Sequence, residues 1–435
     1  MGGRVDLGTQ SFDSLWIWDE IDNALPWYRK VSVNKMPAKY LICRRVPCNL
    51  DLEVSSEEEL WKEHERLTGI FLEAWKKIRT GEARLNELPE AKLSLLDLSV
   101  ELANRMLTHC NLCRWNCRVD RSNGTKYGTC QLGSQSRVGS YSHHRGEELV
   151  FRGTRGSGTI FFNSCSWRCS FCQNSDISHE KDSGLLVTSS QLSWMAWQLR
   201  MEGCHNINWV GGEPTIHLHT ILEAISLLDW KKPDSKQLAY LEQVKSDGFL
   251  LHRGSVENAS YEGEFNVPML WNSNFYMSME TMRLLRCLMD VWLPDFKFGS
   301  DKCSIKLART PFMWETVTRN HKLVNDWRED VVIRHLIMPN HVECCTKPVL
   351  EWIAENTPNA LVNLIDQFHP DYACNPALPT YDPRYEEIAR YPSDEEIEES
   401  YQYARKFGLR FEAVTFEKRV STRLHSSARS VPKQV

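Results

Sequence analysis

GTIFFNSCSWRCSFCQN, from Gly158 to Asn174, is the stretch on which the reading of this chain turns. Its first half is β-branched and aromatic, which predicts a short strand. Its second half predicts a loop carrying Cys165, Cys169 and Cys172 at a C-x3-C-x2-C spacing. Three thiolates on one short loop can hold an iron–sulfur cluster. A [4Fe-4S] cluster has four irons and normally takes four Cys ligands, so three local ligands leave one iron open. An open position is what a catalytic metal site keeps. A zinc knuckle and a plain buried Cys cluster are the competing readings. Zinc takes four ligands, usually as two pairs, and no fourth ligand follows at close range.

Upstream lies a second cysteine group, CNLCRWNCRVDRSNGTKYGTC, with Cys110, Cys113, Cys117 and Cys130 spaced C-x2-C-x3-C-x12-C. Gly124 and Gly128 supply tight turns between them. Four thiolates make a closed site, either structural zinc or a second Fe–S cluster, and the spacing suits both. Unligated thiols are the third alternative. Residues 131–157 read as a connector rich in Gly, Ser and Arg, and its His143 and His144 as solvent-facing. Residues 1–107 read as a mixed, largely helical region packed against the main domain. Ser56 and Glu59 fit a capping box, with Leu60, His64, Leu67 and Phe71 following at helical spacing; residues 93–107 predict a second amphipathic helix.

Downstream, strands and helices alternate. Thr188 and Gln191 fit a capping box, and Gly203 stops that helix. Apolar runs at 204–210, 266–273, 291–297, 331–339 and 360–370 predict strands, with amphipathic segments between them and RFEAVTF (411–416 with Arg410) after the last helix. Such βα units predict an α/β fold with a parallel sheet wound into an open or partial barrel. Ligands in such sheets bind at the carboxyl ends of strands. Residues 231–265 interrupt the pattern as an insertion, and the basic, Ser-rich 418–435 predicts a disordered tail. The expected division is therefore 1–107, a Cys-rich module and connector at 108–150, a core at 151–417, and the tail.

The 435 residues have a net charge of -5 and 15 Cys. That charge argues against a general nucleic-acid or anionic-membrane binder. No apolar run approaches a membrane span, and the first residues lack the apolar stretch of a secretory signal. An odd number of Cys clustered at ligand spacings suits a reducing cytoplasm.

Candidate site residues fall at predicted strand ends. Gly211 and Gly212 permit close backbone approach to a ligand, and Glu213 can accept hydrogen bonds from an ammonium; a simple turn is the alternative. Asn272 and Ser273 end the next strand. Asp295 and Lys297 place opposite charges in an apolar strand, so they need a ligand, each other, or Arg334. His369 ends the run at 360–370.

C-x3-C-x-φ-C, with Phe171 before the last Cys and Gln173-Asn174 after it, resembles the radical S-adenosylmethionine (SAM) superfamily. The wider GTRGSGTIFFNSCSWRCSFCQNSDIS resembles the branch related to the pyruvate formate-lyase activating enzyme. The likeness runs from about Cys110 to Lys418. It implies a partial parallel (β/α)6-type barrel, with a helical, Cys-rich region before it, and a catalytic [4Fe-4S] cluster on Cys165, Cys169 and Cys172. It implies SAM contacts from Gly211, Gly212 and Glu213 to the amino group, from Asn272 and Ser273 to the carboxylate or ribose, and from Asp295, Lys297 and His369 around the adenosyl end. Relatives usually have a Gly before the aromatic where this chain has Asn274-Phe275-Tyr276.

The implied chemistry is reductive cleavage of SAM to a 5′-deoxyadenosyl radical that takes hydrogen from a substrate, with flavodoxin or ferredoxin as reductant. A glycyl-radical partner protein is one substrate; a peptide, RNA or small molecule is another. A non-catalytic Fe–S or zinc electron carrier or scaffold is the reading from a different class.

Overall fold

The structure is a computed structural model that describes residues 20–153, 155–229 and 259–416. Most of the expected insertion and the whole expected tail lie outside the described residues.

The strands are β1 (Ser136–His144), β2 (Ser157–Phe162), β3 (Leu185–Val187), β4 (Ile207–Gly211), β5 (Ser260–Tyr261), β6 (Glu264–Phe265), β7 (Met269–Ser273), β8 (Val291–Pro294), β9 (Val332–Leu336) and β10 (Leu361–Ile365). One sheet has the order β3-β1-β2-β4-β7-β8. Strands β2, β4, β7 and β8 are parallel neighbours, and β9 pairs parallel with β10. Parallel bridges Trp292–Val331 and Asp295–Arg334 join β8 to β9. Six parallel strands thus run in sequence order around an incomplete barrel. Strands β7 and β8 are buried at every position, as expected for parallel strands covered on both faces.

Two expected elements differ from the structure. The connector at 131–157 contains β1, which pairs antiparallel with β2. Its Gly, Ser and His residues carry little strand propensity; the open edge of β2 supplies the pairing that the local sequence does not signal. RFEAVTF is not a strand. Val362 N donates to Arg410 O at 3.0 Å and Leu364 N to Thr415 Oγ1 at 2.9 Å, with a helical turn at Glu412–Thr415. The segment covers the edge of β10 instead of extending the sheet.

The capping boxes at Ser56/Glu59 and Thr188/Gln191 form, and a further one stands at Ser393/Glu396. Each side-chain cap stabilises its helix by about 1 kcal/mol. The helix Glu57–Thr80 buries Leu60, His64, Leu67 and Phe71 on one face, and the helix Leu95–Arg105 packs on Leu218–Ser226.

The N-terminal segment closes one end of the barrel. Asp290, just before β8, accepts from Trp27 Nε1 (2.8 Å), Lys39 N (3.0 Å) and Met269 N (2.8 Å). Asp330, just before β9, accepts from Tyr28 N at 2.8 Å. Lys39 is fully buried in an ion pair with Glu329. These contacts sit at the amino ends of the strands, which leaves the carboxyl ends free for a site.

Candidate active site

Strand β2 delivers the chain into the three-cysteine loop, which is pinned from several sides. Ser164 N donates to Ile177 O (2.7 Å), Arg168 N to Ala308 O (3.0 Å) and Ser170 N to Leu307 O (2.8 Å). Ala373 N and Cys374 N donate to Ser170 O at 3.0 and 3.1 Å. The upstream cysteine segment docks on the same loop: Trp115 Nε1 donates to Ser166 O (2.7 Å), Ser164 Oγ to Cys130 O (2.7 Å) and Arg168 Nη2 to Thr129 O (2.9 Å). A loop held this way can present three thiols without reorganising.

Cys165, Cys169 and Cys172 line one cavity of about 250 Å³ at the carboxyl ends of the parallel strands. Gly211, Gly212, Asn272, Ser273, Asp295 and Lys297 line it too. Burial pushes all three thiols up, Cys169 to about 12, with Lys297 opposing the rise at Cys169. Thiolates here therefore need a compensating positive charge, which a metal centre provides. The residues fit a cluster. Trp167 N and Asn274 Nδ2 approach Cys165 Sγ at 3.3 and 3.8 Å, and Ser178 Oγ lies 3.0 Å from Cys172 Sγ. The Trp167 indole N–H is buried at the same cavity with no hydrogen-bond partner among the described residues.

The glycines at the end of β4 line the cavity and also lie close against neighbouring backbone. Gly211 has φ +123°, and a Cβ there would stand 2.1 Å from Phe162 N; one on Gly212 would stand 1.8 Å from Ser164 O. Any side chain would push β4 off the cysteine loop. Glu213 is 1% exposed and does not line the cavity. Its Oε1 accepts from Ser273 Oγ (2.7 Å) and Thr215 N (3.1 Å), and its Oε2 from Asn274 N (2.9 Å). It ties the ends of β4 and β7 together.

At the end of β7, Phe275 takes the left-handed conformation (φ +61°), which favours glycine. Asn320 Nδ2 donates to Phe275 O at 2.8 Å and Asn274 Oδ1 accepts from Tyr276 N at 3.0 Å, which hold a turn that Phe would otherwise avoid. Asn274 touches both Cys165 Sγ and Ser166 Oγ, the latter at 3.2 Å. No local pattern marks it.

Asp295 pairs with Lys297 and, at 3.0 Å, with Arg334 Nε. Burial alone would raise its carboxyl; the Arg334 and Lys297 charges outweigh that and hold it below the usual carboxylate range. Burial would lower Lys297, but Asp295 and the Cys169 thiol raise it. Arg334 also donates to Asn272 Oδ1 and lies 3.4 Å from Glu147 Oε1.

His369 is not in the cysteine cavity. It lines an adjoining one of about 450 Å³ with His144, Glu147, Glu148, Asn363 and Asp366, and Asn272 and Arg334 border both. Burial, aided by Glu148 and opposed by Arg334, pushes the Glu147 carboxyl up to about 8. Of the two expected outward histidines, His143 instead pairs with Glu202 at 2.5 Å.

Cys110, Cys113, Cys117 and Cys130 share one segment, and a Cβ on Gly128 would meet Cys117 Sγ at 2.7 Å. Among the described residues, ligand atoms within 4.8 Å of one another occur in one group, Cys303, His341, Cys344 and Cys345.

Residues 151–243 match the family described as a 4Fe-4S single cluster domain. The chain is 33% identical over 389 residues to the Uncharacterized protein MJ0674 of Methanocaldococcus jannaschii, covering 88% of this chain and 97% of that one. Among solved structures, Streptococcus suis SuiB bound to S-adenosylmethionine is similar at TM-score 0.36 and 12% identity, over 57% of this chain and 47% of that chain. The chain thus spans about half the length of SuiB. A domain of pyruvate-formate lyase-activating enzyme from Bacteroides vulgatus is similar at TM-score 0.28 and 16% identity, over 47% and 96% of the two chains. With a third of the aligned residues shared along nearly the whole of both sequences, the protein belongs to the family of MJ0674, and its three-cysteine loop lies inside the segment that matches a 4Fe-4S single cluster domain.

Proposed function

We propose that the protein cleaves SAM reductively in the Cys165–Cys172 cavity and takes a hydrogen atom from a glycine of a partner protein. The observation that carries this reading is the convergence of three thiols and the Asp295–Lys297–Arg334 charge cluster on one cavity. An electron carrier needs the thiols but has no use for a charged pocket beside them. When bound on Cys165, Cys169 and Cys172, the cluster supplies one electron to the sulfonium of SAM, giving methionine and a 5′-deoxyadenosyl radical.

The chain's own residues do the rest. Lys297 and Arg334 offer donors to a carboxylate and Asp295 offers an acceptor to an ammonium, so the cavity suits a zwitterion. Asn272 and Ser273 add short polar side chains on the same wall. Glu213 positions that wall from beneath. Trp167 and Phe171, backed by Phe298 at 5.8 and 6.1 Å between ring centroids, exclude water. The adjoining cavity with His369, Glu147 and Glu148 receives the adenosyl end and the substrate.

The likeness of residues 153–178 to the branch related to the pyruvate formate-lyase activating enzyme supports a glycine target. A flavodoxin or ferredoxin fits as the one-electron donor. Cys110, Cys113, Cys117 and Cys130 are the candidate ligands of a second Fe–S cluster or zinc that braces the docked segment. All 15 cysteines are free, which supports a cytoplasmic location. Among the described residues no helix is long and apolar enough to cross a membrane.

The test is anaerobic. Cluster-loaded chain with dithionite should form 5′-deoxyadenosine from SAM, and Cys169→Ala should not. Lysate from cells fed deuterated glycine should pass deuterium into 5′-deoxyadenosine through its protein fraction. Transfer from a peptide, RNA or small-molecule fraction moves the target there. Absence of 5′-deoxyadenosine from cluster-loaded protein under strong reductant returns the protein to the carrier or scaffold class.

A further inference from the structure

We propose that Cys303, His341, Cys344 and Cys345 bind one zinc ion, and that this site braces the cysteine loop. Three Cys and one His is a closed structural zinc set. Zn–S bonds of about 2.3 Å and a Zn–N bond of about 2.0 Å at tetrahedral angles give edges of about 3.8 Å between sulfurs and about 3.5 Å between sulfur and nitrogen. The structure has Cys303 Sγ–Cys344 Sγ at 3.6 Å and Cys344 Sγ–Cys345 Sγ at 4.0 Å. His341 Nδ1 lies 3.2 Å from Cys344 Sγ and 3.6 Å from Cys345 Sγ. All four ligand atoms lie within 4.8 Å of one another, a spacing that encloses a single ion rather than a four-iron cube.

The surroundings are those of a ligated histidine. His341 Nε2 lies 3.2 Å from Glu387 Oε1, so Nε2–H donates to the carboxylate and Nδ1 is left as the ligand. A π-helical turn over Val342–Thr346, with Thr346 N donating to His341 O at 3.2 Å, gathers residues 341, 344 and 345 on one side. Gly299 lets the loop after β8 press onto this turn: a Cβ there would stand 2.4 Å from Cys344 O. The pattern H-x2-C-C with a Cys 38 positions earlier has no paired C-x2-C, which is why spacing did not reveal it.

The site has a mechanical consequence. Cys303 sits near the start of the helix Asp301–Ala308, and the end of that helix accepts the Arg168 and Ser170 amides of the cysteine loop. An ion linking Cys303 to the turn after β9 fixes that helix, and through it the loop.

The experiment uses the full chain, reduced and freed of metal by a chelator, then given zinc alone. Iodoacetamide labelling is read cysteine by cysteine by mass spectrometry. Cys344 is exposed, so it labels in the metal-free chain; zinc should protect it, and the chelator should restore labelling. The double variant Cys303→Ser, Cys344→Ser should bind one zinc fewer per chain than the unaltered protein, whereas Cys110→Ser, Cys113→Ser should leave Cys344 protected. Equal labelling of Cys344 with and without zinc overturns the site, as does unchanged zinc in the first variant or a resting Cys303–Cys344 disulfide. Should that variant not fold, the labelling of the unaltered chain decides.

Discussion

Glu213→Gln separates a scaffold role from a ligand role for the carboxylate. The substitution keeps the shape and removes one acceptor. In the structure Oε1 serves Ser273 Oγ and Thr215 N, while Oε2 serves Asn274 N. A glutamine amide can put its oxygen on the first pair only by turning its NH2 toward Asn274 N. One hydrogen bond to a charged acceptor is then lost, and a buried N–H is left unpaired. That costs about 1.5–3 kcal/mol, or roughly 10- to 150-fold in the folding equilibrium. The loss falls on Asn274, whose side chain touches Cys165 Sγ and Ser166 Oγ, so iron uptake should fall with stability. The assay is urea unfolding of the cluster-free chain at pH 7, followed by Trp fluorescence, with iron per chain after anaerobic reconstitution. A variant with unchanged urea stability and iron content that has lost SAM affinity would refute the reasoning, because Glu213 would then act on the ligand itself.

Two further substitutions test the charges beneath and beside the site. Arg334 and Lys297 hold Asp295 below the usual carboxylate range, so its contribution to stability is full above about pH 4 and is lost as pH falls through its lowered folded value. Asp295→Asn should lower stability at pH 7 and flatten the loss between pH 4 and 2; an acid limb identical to the unaltered protein's argues against the pairing. Lys39→Met should destabilise the fold by about 3–5 kcal/mol, because it strands the Glu329 carboxylate in the core. Adding Glu329→Leu should recover most of that in thermal unfolding, and a double variant no better than the single one would count against a buried pair.

The parts of the fold that were legible early have local causes. Ser56 with Glu59 and Thr188 with Gln191 lie three residues apart, within reach of one helical turn, so each pair declares its own helix start. Strands β7 and β8 are continuous apolar runs because both faces are covered. Strand β1 was not legible: its pairing comes from the edge of β2, not from its own residues.

By itself the sequence determined the alternation of strands and helices and the three thiols on one loop, since both depend on neighbours a few residues away. It also carried Asp295 and Lys297 as charges in an apolar strand, which must find partners wherever the chain goes. Only the tertiary structure decided what those partners are. Asn274 reaches Cys165 across 109 residues of sequence, and Arg334 reaches Asp295 across 39. His341, Cys344 and Cys345 meet Cys303 because β8 and β9 are neighbours whose following loops must share one end of the barrel. Glu213 was drawn from the fold in the same way: a carboxylate at a strand end can face a ligand or the next strand, and the turn that brings β7 alongside β4 gave it three donors before any ligand arrives. Spacing along a chain fixes which groups can share a turn, whereas sheet order fixes which turns can share a site.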